Sequence, residues 1–287
     1  MRVLYFIFTI ALTSCAFNGS FLHPDTSQNS TYNLNSGATV KFDTVSFEPE
    51  FLDSLGNPMD LGYELDNFTF QGSSGKLNGW HLKPQSEPDV TIIHFHGNAG
   101  FLLSQIKAID PLVGEGMEVF MFDYSGFGFS DGQATRKNVI NDARYFVNYV
   151  IEQTMESNTL KVIYGQSLGG HLTAAVAHEV ENLIDGIVIE GAFSSHSDIA
   201  GKVVPVLGNI FIQEMYSGKR EIKNFSKPVL IIHSTEDQTI PFKHGQRLFK
   251  KANQPKTFFE IDKCHICGPK YYSKEIAKKI REILAVM

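Results

Sequence analysis

The spacing of apolar positions along this chain changes near residue 90. Before that point, residues 39–47 alternate apolar and polar side chains with a period of two, which is typical of a half-buried strand. Two further strand-like segments, 68–71 and 77–82, are joined by the turn residues 72–75 and predict an antiparallel hairpin. The first part of the chain is therefore predicted to be built from short strands and turns.

After residue 90, short apolar runs alternate with longer helical patterns. Runs that are apolar throughout are expected of strands covered on both faces, as in a parallel sheet. Six runs predict such strands: 90–95, 117–122, 160–164, 186–189, 228–232 and 257–261. Four segments between or after them predict helices: 137–152, 171–180, 245–252 and 273–285. We predict one α/β domain, residues 39–287, with a mostly parallel central sheet flanked by helices and an antiparallel N-terminal hairpin.

The first residues have the pattern of an export signal. Arg2 supplies a positive charge, and residues 3–12 form an apolar core that is too short to span a membrane as a helix. We interpret residues 1–14 as a signal peptide. Residues 12–15 read Leu-Thr-Ser-Cys and resemble the lipobox of bacterial lipoproteins, which implies cleavage before Cys15 and a lipid on it. The alternative is an ordinary signal peptide cleaved near Cys15.

The residues after Cys15 are polar and lack a periodic pattern. Residues 16–38 are rich in Asn, Ser, Thr and Gly, so we predict that 15–38 is a lipidated, flexible tether. Ala16, following the lipobox cysteine, is typical of sorting to the outer membrane of a bacterial cell envelope. Four Asn-x-Ser/Thr triplets would suit a eukaryotic secreted protein, but such triplets are common by chance in this composition.

Composition and charge restrict the classes of function. Of the 287 residues, 43% are hydrophobic, enough to bury a sizeable core. Lysine and arginine number 25 against 31 acidic residues, for a net charge of −6, and the basic residues form only short pairs. Because nucleic-acid binding needs a basic face, we expect no nucleic-acid partner.

The strongest chemical signal is a Gly-x-Ser-x-Gly segment at residues 165–169, centred on Ser167. It follows the predicted strand 160–164 and precedes a helical pattern, which is the order that a nucleophile elbow requires. Such a turn needs small flanking residues and raises the serine hydroxyl above the sheet. We predict that Ser167 is a nucleophile.

A serine nucleophile needs a base beside it and an acid that orients the base. In the fold that carries such an elbow, the acid and then the histidine follow later strands. Asp237 follows the predicted strand 228–232, with Glu236 as the alternative, and His265 follows 257–261. His94, His96 and His171, on or beside predicted elements, are assigned structural hydrogen bonds.

An oxyanion hole needs two backbone N–H groups facing the developing negative charge. One is expected from Leu168, the residue after the nucleophile, and the other from the loop after the third core strand, which is 96–100 here. Small residues in that loop allow its backbone to approach a substrate. We assign Asn98 as the second donor, with Ala99 as the alternative.

Three motifs together resemble the α/β-hydrolase superfamily: residues 95–100, 123–132 and 165–170. They are similar above all to small serine hydrolases that include membrane-linked esterases and protein depalmitoylases. The resemblance implies an α/β-hydrolase fold and a triad of Ser167, Asp237 and His265. Many relatives carry Arg where this chain has Ser125, and residues 262–264 depart from the family's usual sequence before the histidine.

Cys264 and Cys267 flank the candidate base. In an exported protein they could form a disulfide that braces the loop, and the alternative is two reduced thiols. One Cys-x-x-Cys with a single histidine lacks the second half of a zinc site, and no metal or other cofactor is implied.

The segment 191–227 is short, which predicts a small cap over the site. Its apolar residues 203–207 and 210–212, with Met215 and Tyr216, either cover the sheet or line an acyl pocket. We predict a lipid-anchored serine hydrolase that cleaves carboxylic esters or thioesters of small or acylated substrates. The alternatives are a peptidase or amidase with the same triad, and a non-catalytic anchored binding protein with a hydrolase fold.

Overall fold

The computed structural model describes residues 21–26, 29–33, 38–43, 45–203 and 214–285. The predicted signal peptide, residues 1–14, and the candidate lipidation site Cys15 lie outside the described residues. So do most of the apolar cap residues, 204–213.

Thirteen strands and seven α-helices are described. The strands are β1 (His23–Pro24), β2 (Thr31–Asn33), β3 (Thr39–Phe42), β4 (Pro49–Leu52), β5 (Glu64–Gln71), β6 (Lys76–Lys83), β7 (Val90–Phe95), β8 (Ala99–Gly100), β9 (Met117–Phe122), β10 (Leu160–Gln166), β11 (Gly186–Glu190), β12 (Val229–Ser234) and β13 (Lys256–Ile261). The α-helices are α1 (Leu102–Gln105), α2 (Arg136–Gln153), α3 (Leu168–Val176), α4 (His196–Val203), α5 (Gly218–Glu221), α6 (Lys243–Lys251) and α7 (Gly268–Leu284). Short 3-10 helices are Ile106–Ala108, Asp110–Glu115, Glu181–Leu183 and Ile222–Asn224.

An eight-stranded sheet forms the centre of the molecule, in the order β13-β12-β11-β10-β7-β9-β6-β5. The six strands from β13 to β9 in that order are parallel, and β6 and β5 continue the sheet as an antiparallel hairpin. The predicted architecture, a mostly parallel sheet with an antiparallel N-terminal hairpin, is confirmed.

The strand order reverses beside β7, which lies between β9 and β10. Open α/β sheets bind ligands in the crevice outside the carboxyl ends of the strands at such a switch point. The loops that follow β7 and β10 therefore meet at the position where a site is expected.

Helices cover both faces of the parallel strands. Helices α2, α3 and α6 contribute to the apolar core on one face, and α7 with residues 101–113 contributes to the core on the other. Every residue of β7, β9, β11 and β12 is buried. This two-sided burial explains why these strands are apolar throughout and were detectable in the sequence.

The strand predicted at residues 39–47 ends earlier, because a turn begins at Asp43. Its carboxylate accepts hydrogen bonds from the backbone N–H groups of Val45 (2.8 Å) and Ser46 (2.6 Å). An Asp side chain that binds the backbone two and three residues ahead favours a turn over continued strand pairing. The extended segment is therefore confined to β3.

The prediction of a flexible tether up to residue 38 is wrong for part of that segment. Phe21 and Leu22 are buried in the core, with exposed fractions of 5% and 3%. Strand β1 then pairs with β8, and β2 pairs with β3. The apolar pair Phe21-Leu22 gains more from burial than its polar surroundings suggest, so the folded unit includes residues before 39.

The described helices include none that is both long and apolar enough to cross a bilayer. The predicted small cap is represented by α4 and α5, which lie on either side of residues 204–213.

Candidate active site

Ser167 occupies a strained turn between β10 and α3. Its backbone has φ 55° and ψ −112°, a conformation that a non-glycine residue adopts only at an energetic cost. The turn is fixed on both sides, because Ser167 N donates to Glu190 O (2.9 Å) and His171 N donates to Ser167 O (3.1 Å). A side chain at Gly169 would place its Cβ 1.9 Å from Phe95 O, so only glycine allows the helix to start this close to β7. The predicted elbow is present.

Asp237 and His265 lie in the loops that follow β12 and β13, as the strand order predicts. His265 Nδ1 is 2.6 Å from Asp237 Oδ2. The other oxygen of the carboxylate accepts the backbone N–H groups of Thr239 (2.8 Å) and Ile240 (2.7 Å). Glu236, the alternative acid, is exposed. The geometry selects Asp237 as the partner of the imidazole.

The environment of Asp237 favours its charged form. Burial alone would raise the pKa of this carboxyl, but the hydrogen bond and charge of His265, with the N–H of Ile240, outweigh burial and hold the pKa below its usual value. An ionised Asp237 accepts the Nδ1–H of His265. The second ring nitrogen, Nε2, is then the one that can accept a proton.

Ser167 and His265 are brought to the same rim of the sheet. Gly191 directly follows Glu190, whose carbonyl oxygen accepts the hydrogen bond from Ser167 N. A Cβ built on Gly191 would lie 3.2 Å from His265 Cε1. Across the described residues, the acid–base pair is hydrogen-bonded, while the Ser167 hydroxyl and the His265 ring share no hydrogen bond. Such bonds are often long without substrate and tighten in the Michaelis complex.

The second N–H donor of the oxyanion hole was predicted in the loop after β7. In the structure this loop lies beside the elbow: a Cβ built on Gly97 would be 3.8 Å from Ser167 Cβ. Leu168 begins α3, where the first N–H groups of a helix have no acceptor within the helix. Asn98 follows Gly97, so both predicted donors belong to segments that border Ser167.

A cavity of about 670 Å³ lies beside the acid–base pair. Thr235, Glu236, Asp237, Gln238, Thr239, Cys264, His265 and Cys267 line it. Because Ser167 is not among these residues, we do not assign this cavity to the acyl group. Of the residues predicted to line an acyl pocket, Tyr216 is buried and Met215 is 45% exposed.

The structure contains a disulfide between Cys264 and Cys267, with the two Cα atoms 5.4 Å apart. It spans His265 and Ile266, and Ile266 has a φ of 49°, which is unusual for a β-branched residue. The bridge therefore constrains a strained loop that carries the candidate base.

Glu190 is a residue of the site that sequence reasoning missed. It is 1% exposed. Its carboxylate accepts hydrogen bonds from Tyr164 Oη (2.9 Å), Gln166 Nε2 (2.8 Å) and Gly268 N (2.7 Å). Burial raises its pKa, although these hydrogen bonds oppose the rise. Glu190 thus links the strand before Ser167 to the segment after His265. The available signal was a single acidic residue directly after an apolar strand.

The three histidines assigned to structural roles make the expected hydrogen bonds. The Nδ1 atoms of His94, His96 and His171 lie 3.1, 2.7 and 2.9 Å from the carbonyl oxygens of Tyr164, Gly97 and Phe193 respectively. A carbonyl can only accept, so each Nδ1 carries the proton.

One group of side chains has the composition of a metal site. Atoms of His171, His196 and Glu214 that could ligate a metal lie within 4.8 Å of one another. The Glu214 carboxylate, however, accepts the backbone N–H groups of His196 and Ser197 (each 3.0 Å) at the start of α4. We assign Glu214 to capping this helix, because both of its oxygens are already used there.

Comparisons with known proteins agree with the fold and identify the family. Residues 90–220 match the family described as the alpha/beta hydrolase fold. The chain is 35% identical over 210 residues to the protein YfhR of Salmonella typhi, covering 67% of this chain and 71% of YfhR. It is 30% identical over 187 residues to the protein bem46 of Schizosaccharomyces pombe, covering 63% and 62%. The solved structure of the esterase Pf2001 of Pyrococcus furiosus is similar in fold, with a TM-score of 0.64 and 19% identity over 80% of this chain and 97% of the esterase.

Proposed function

Because this chain belongs to the α/β-hydrolase family, we propose that it is a serine hydrolase that cleaves carboxylic esters or thioesters through an acyl-enzyme on Ser167. The observation that carries the proposal is the 2.6 Å contact between His265 and Asp237 at the rim where the Ser167 elbow lies. The fold shared with an esterase supports a hydrolase. The serine, histidine and aspartate side chains at the rim support acyl transfer through a serine nucleophile.

The proposed reaction begins when Ser167 Oγ attacks the carbonyl carbon of the substrate. His265 Nε2 accepts the serine proton, and Asp237 stabilises the imidazolium that forms. The N–H groups of Leu168 and Asn98 bind the oxyanion of the tetrahedral intermediate. Collapse of the intermediate expels the alcohol or thiol, which takes the proton from His265.

Water completes the cycle. His265 removes a proton from the water molecule, whose oxygen attacks the acyl carbon of the ester on Ser167. The second tetrahedral intermediate collapses to the free acid, and the proton returns to the serine oxygen. Every proton that leaves the nucleophile is thereby restored, and the enzyme ends the cycle unchanged.

Labelling with a fluorophosphonate probe tests the nucleophile. We expect the wild-type protein to be labelled, and Ser167→Ala to lose both labelling and ester hydrolysis while it keeps its thermal midpoint. Ser86→Ala, at an exposed serine, is the control. Labelling that survives in Ser167→Ala would contradict the assignment.

A substrate panel tests the bond that is cleaved. Matched esters, thioesters and amides of one acyl group should be hydrolysed with the amides slowest. Faster cleavage of amides would favour a peptidase or amidase. Absence of both labelling and turnover in folded wild-type protein would favour a binding protein that keeps the fold.

We further propose that Cys15 carries a lipid that anchors the enzyme to the bacterial cell envelope. The support is the Leu-Thr-Ser-Cys sequence at residues 12–15 after an apolar core. Several acyl chains anchor a protein firmly, whereas one chain binds only marginally. The full-length protein should move from the membrane to the soluble fraction on Cys15→Ser, and retention in the membrane fraction would overturn the proposal.

A further inference from the structure

The oxyanion side of the site is bound by a segment that lies more than seventy residues earlier in the chain. We call residues 21–26 the N-terminal strap. His23 N donates to Asn98 O (2.7 Å), and Asp25 N donates to Gly100 O (3.1 Å). Asp25 O in turn accepts Gly128 N (2.9 Å). The strap therefore joins the loop after β7 to the loop after β9.

The strap is attached to the body of the protein by its first residues. The ring of Phe21 packs edge-on against the ring of His196, with centroids 5.1 Å apart, and the guanidinium of Arg136 lies 5.8 Å from the centre of the Phe21 ring. The carbonyl of Phe21 accepts the side-chain N–H of Asn98 (3.1 Å). Asn98 thus contacts the strap through both its backbone and its side chain.

These contacts determine the directions of two peptide groups. In a trans peptide the C=O and the following N–H point in opposite directions. Gly97 O is held by the buried ring of His96, so the N–H of Asn98 points away from that ring. Asn98 O is held by the strap, which fixes the next peptide and limits rotation at Asn98 itself.

We propose that the N-terminal strap is a positioning element for the oxyanion hole, and that the hydrogen bond from His23 N to Asn98 O, together with the bond of His96 to Gly97 O, fixes the backbone of the loop that carries the Asn98 N–H beside Ser167. This inference rests on the proposed hydrolase function. An oxyanion donor acts only when it is directed at the developing charge before the reaction begins. A strap that fixes the loop supplies this condition from outside the catalytic residues.

The test compares His23→Pro with His23→Ala in the full-length protein. Both variants remove the same exposed side chain, but only proline removes the backbone N–H. We expect kcat/KM for an ester to fall about tenfold in His23→Pro and to stay within about twofold in His23→Ala. Affinity for a trifluoromethyl ketone, which forms a tetrahedral adduct, should fall in parallel, while KM and the thermal midpoint change little.

Asn98→Ala is the second variant. It removes the side-chain contact to Phe21 O and retains the backbone N–H of residue 98, so we expect a smaller loss in kcat/KM of about threefold. If His23→Pro does not fold, this variant decides the outcome. The proposal would then be overturned if Asn98→Ala matched the wild-type protein in both turnover and affinity for the tetrahedral adduct.

Hydrogen exchange separates failure of this inference from failure of the hydrolase assignment. Amides of residues 97–101 should exchange faster in His23→Pro than in His23→Ala. If wild-type protein hydrolyses esters but both variants match in turnover and exchange, the strap has no positioning role. If wild-type protein is inactive, the hydrolase assignment fails, and exchange alone decides whether the strap orders the loop.

Discussion

The two sides of Ser167 are built differently. On the acid–base side, a side-chain hydrogen bond joins His265 to Asp237, and a disulfide closes the loop that carries the histidine. On the oxyanion side, the proposed functional groups are backbone N–H groups, and noncovalent contacts from the N-terminal strap hold the loop. Chemistry on the first side depends on which residues are present. Chemistry on the second depends on where the backbone points.

This difference predicts how substitutions on each side should affect function. A change of residue type at Asp237 or His265 removes a functional group outright. A change on the oxyanion side leaves the N–H in place and alters only its direction. Loss of function should therefore be large and abrupt on the acid–base side and graded on the oxyanion side.

The largest effect is expected from Asp237→Asn. The amide group keeps the size of the carboxylate but presents an N–H to His265 and favours the wrong imidazole tautomer, so kcat should fall on the order of 10⁴-fold. Glu236→Gln at the exposed neighbour is the control and should stay within about twofold. Steady-state kinetics decide the matter, and similar losses in both variants would contradict the choice of Asp237.

A purely steric change should disturb the acid–base side less severely. Gly191 has a φ of 58°, and a Cβ there would lie 3.2 Å from His265 Nδ1 and from Ile266 Cγ2. We expect Gly191→Ala to displace the imidazole and lower kcat/KM on the order of 100-fold. Gly114→Ala, where a Cβ meets no atom within 4 Å, is the control. Unchanged turnover in Gly191→Ala would show that the imidazole is not held in this position.

Removing the disulfide should affect stability more than turnover. Cross-linking so short a loop contributes about 2 kcal/mol in the chain-entropy description. Cys264→Ser with Cys267→Ser should lower the thermal midpoint, yet kcat should fall less than about tenfold. The reason is that Asp237 and the Glu190 bond to Gly268 N still hold the loop. A loss comparable to that of Asp237→Asn would mean that the covalent bridge alone positions His265.

The groups on the two sides should lose their contributions to stability in different pH ranges. Burial lowers the pKa of His96 to about 4 and that of His94 to about 3, below the usual 6.5. The unfolded chain then binds more protons below pH 6.5, so stability falls as pH drops from 6.5 toward 4, by up to about 1.4 kcal/mol per pH unit for each histidine. The contribution of Asp237, whose pKa is lowered, is present above pH 3.8 and is lost only as pH falls below that value.

Urea unfolding at several pH values measures these contributions. His94→Gln should make the decline between pH 6.5 and 4 less steep, because His94 no longer contributes, and should leave the decline below pH 3.8 unchanged. Lys76→Gln, at an exposed position of β6, controls for the general effect of a substitution. A stability that does not change between pH 6.5 and 4 would show that these histidines do not stay neutral in the fold.

The sequence allowed much of the sheet and the acid–base residues to be predicted, for one physical reason. Two-sided burial of β7, β9, β11 and β12 makes each strand apolar, and a strand followed by Gly-x-Ser-x-Gly or by an acid is visible as a pattern. Residues 101–116 were not assigned, because they fold into short turns of α- and 3-10 helix whose pattern is too brief to detect.

The oxyanion side was harder to predict because its contacts are between backbone atoms. The hydrogen bond from His23 N to Asn98 O involves no side chain, so the residue type at position 23 does not predict it. Glu190 was missed for a related reason: its partners come together only when the sheet forms and α7 packs on it, because Gln166 lies in the neighbouring strand β10 and Gly268 begins α7. The disulfide stayed undecided, since Cys-x-x-Cys alone does not report the oxidation state.

The burial of Phe21 would limit how far a lipid on Cys15 allows the protein to move from a membrane. Only six peptide steps separate Phe21 from Cys15, and a fully extended chain of that length covers about 20 Å. A lipid on Cys15 would consequently keep the catalytic rim within roughly half a bilayer's thickness of the headgroups. Soluble substrates far from the membrane would have to diffuse to the anchored enzyme. Acyl groups on neighbouring lipids or lipoproteins would already lie within its reach.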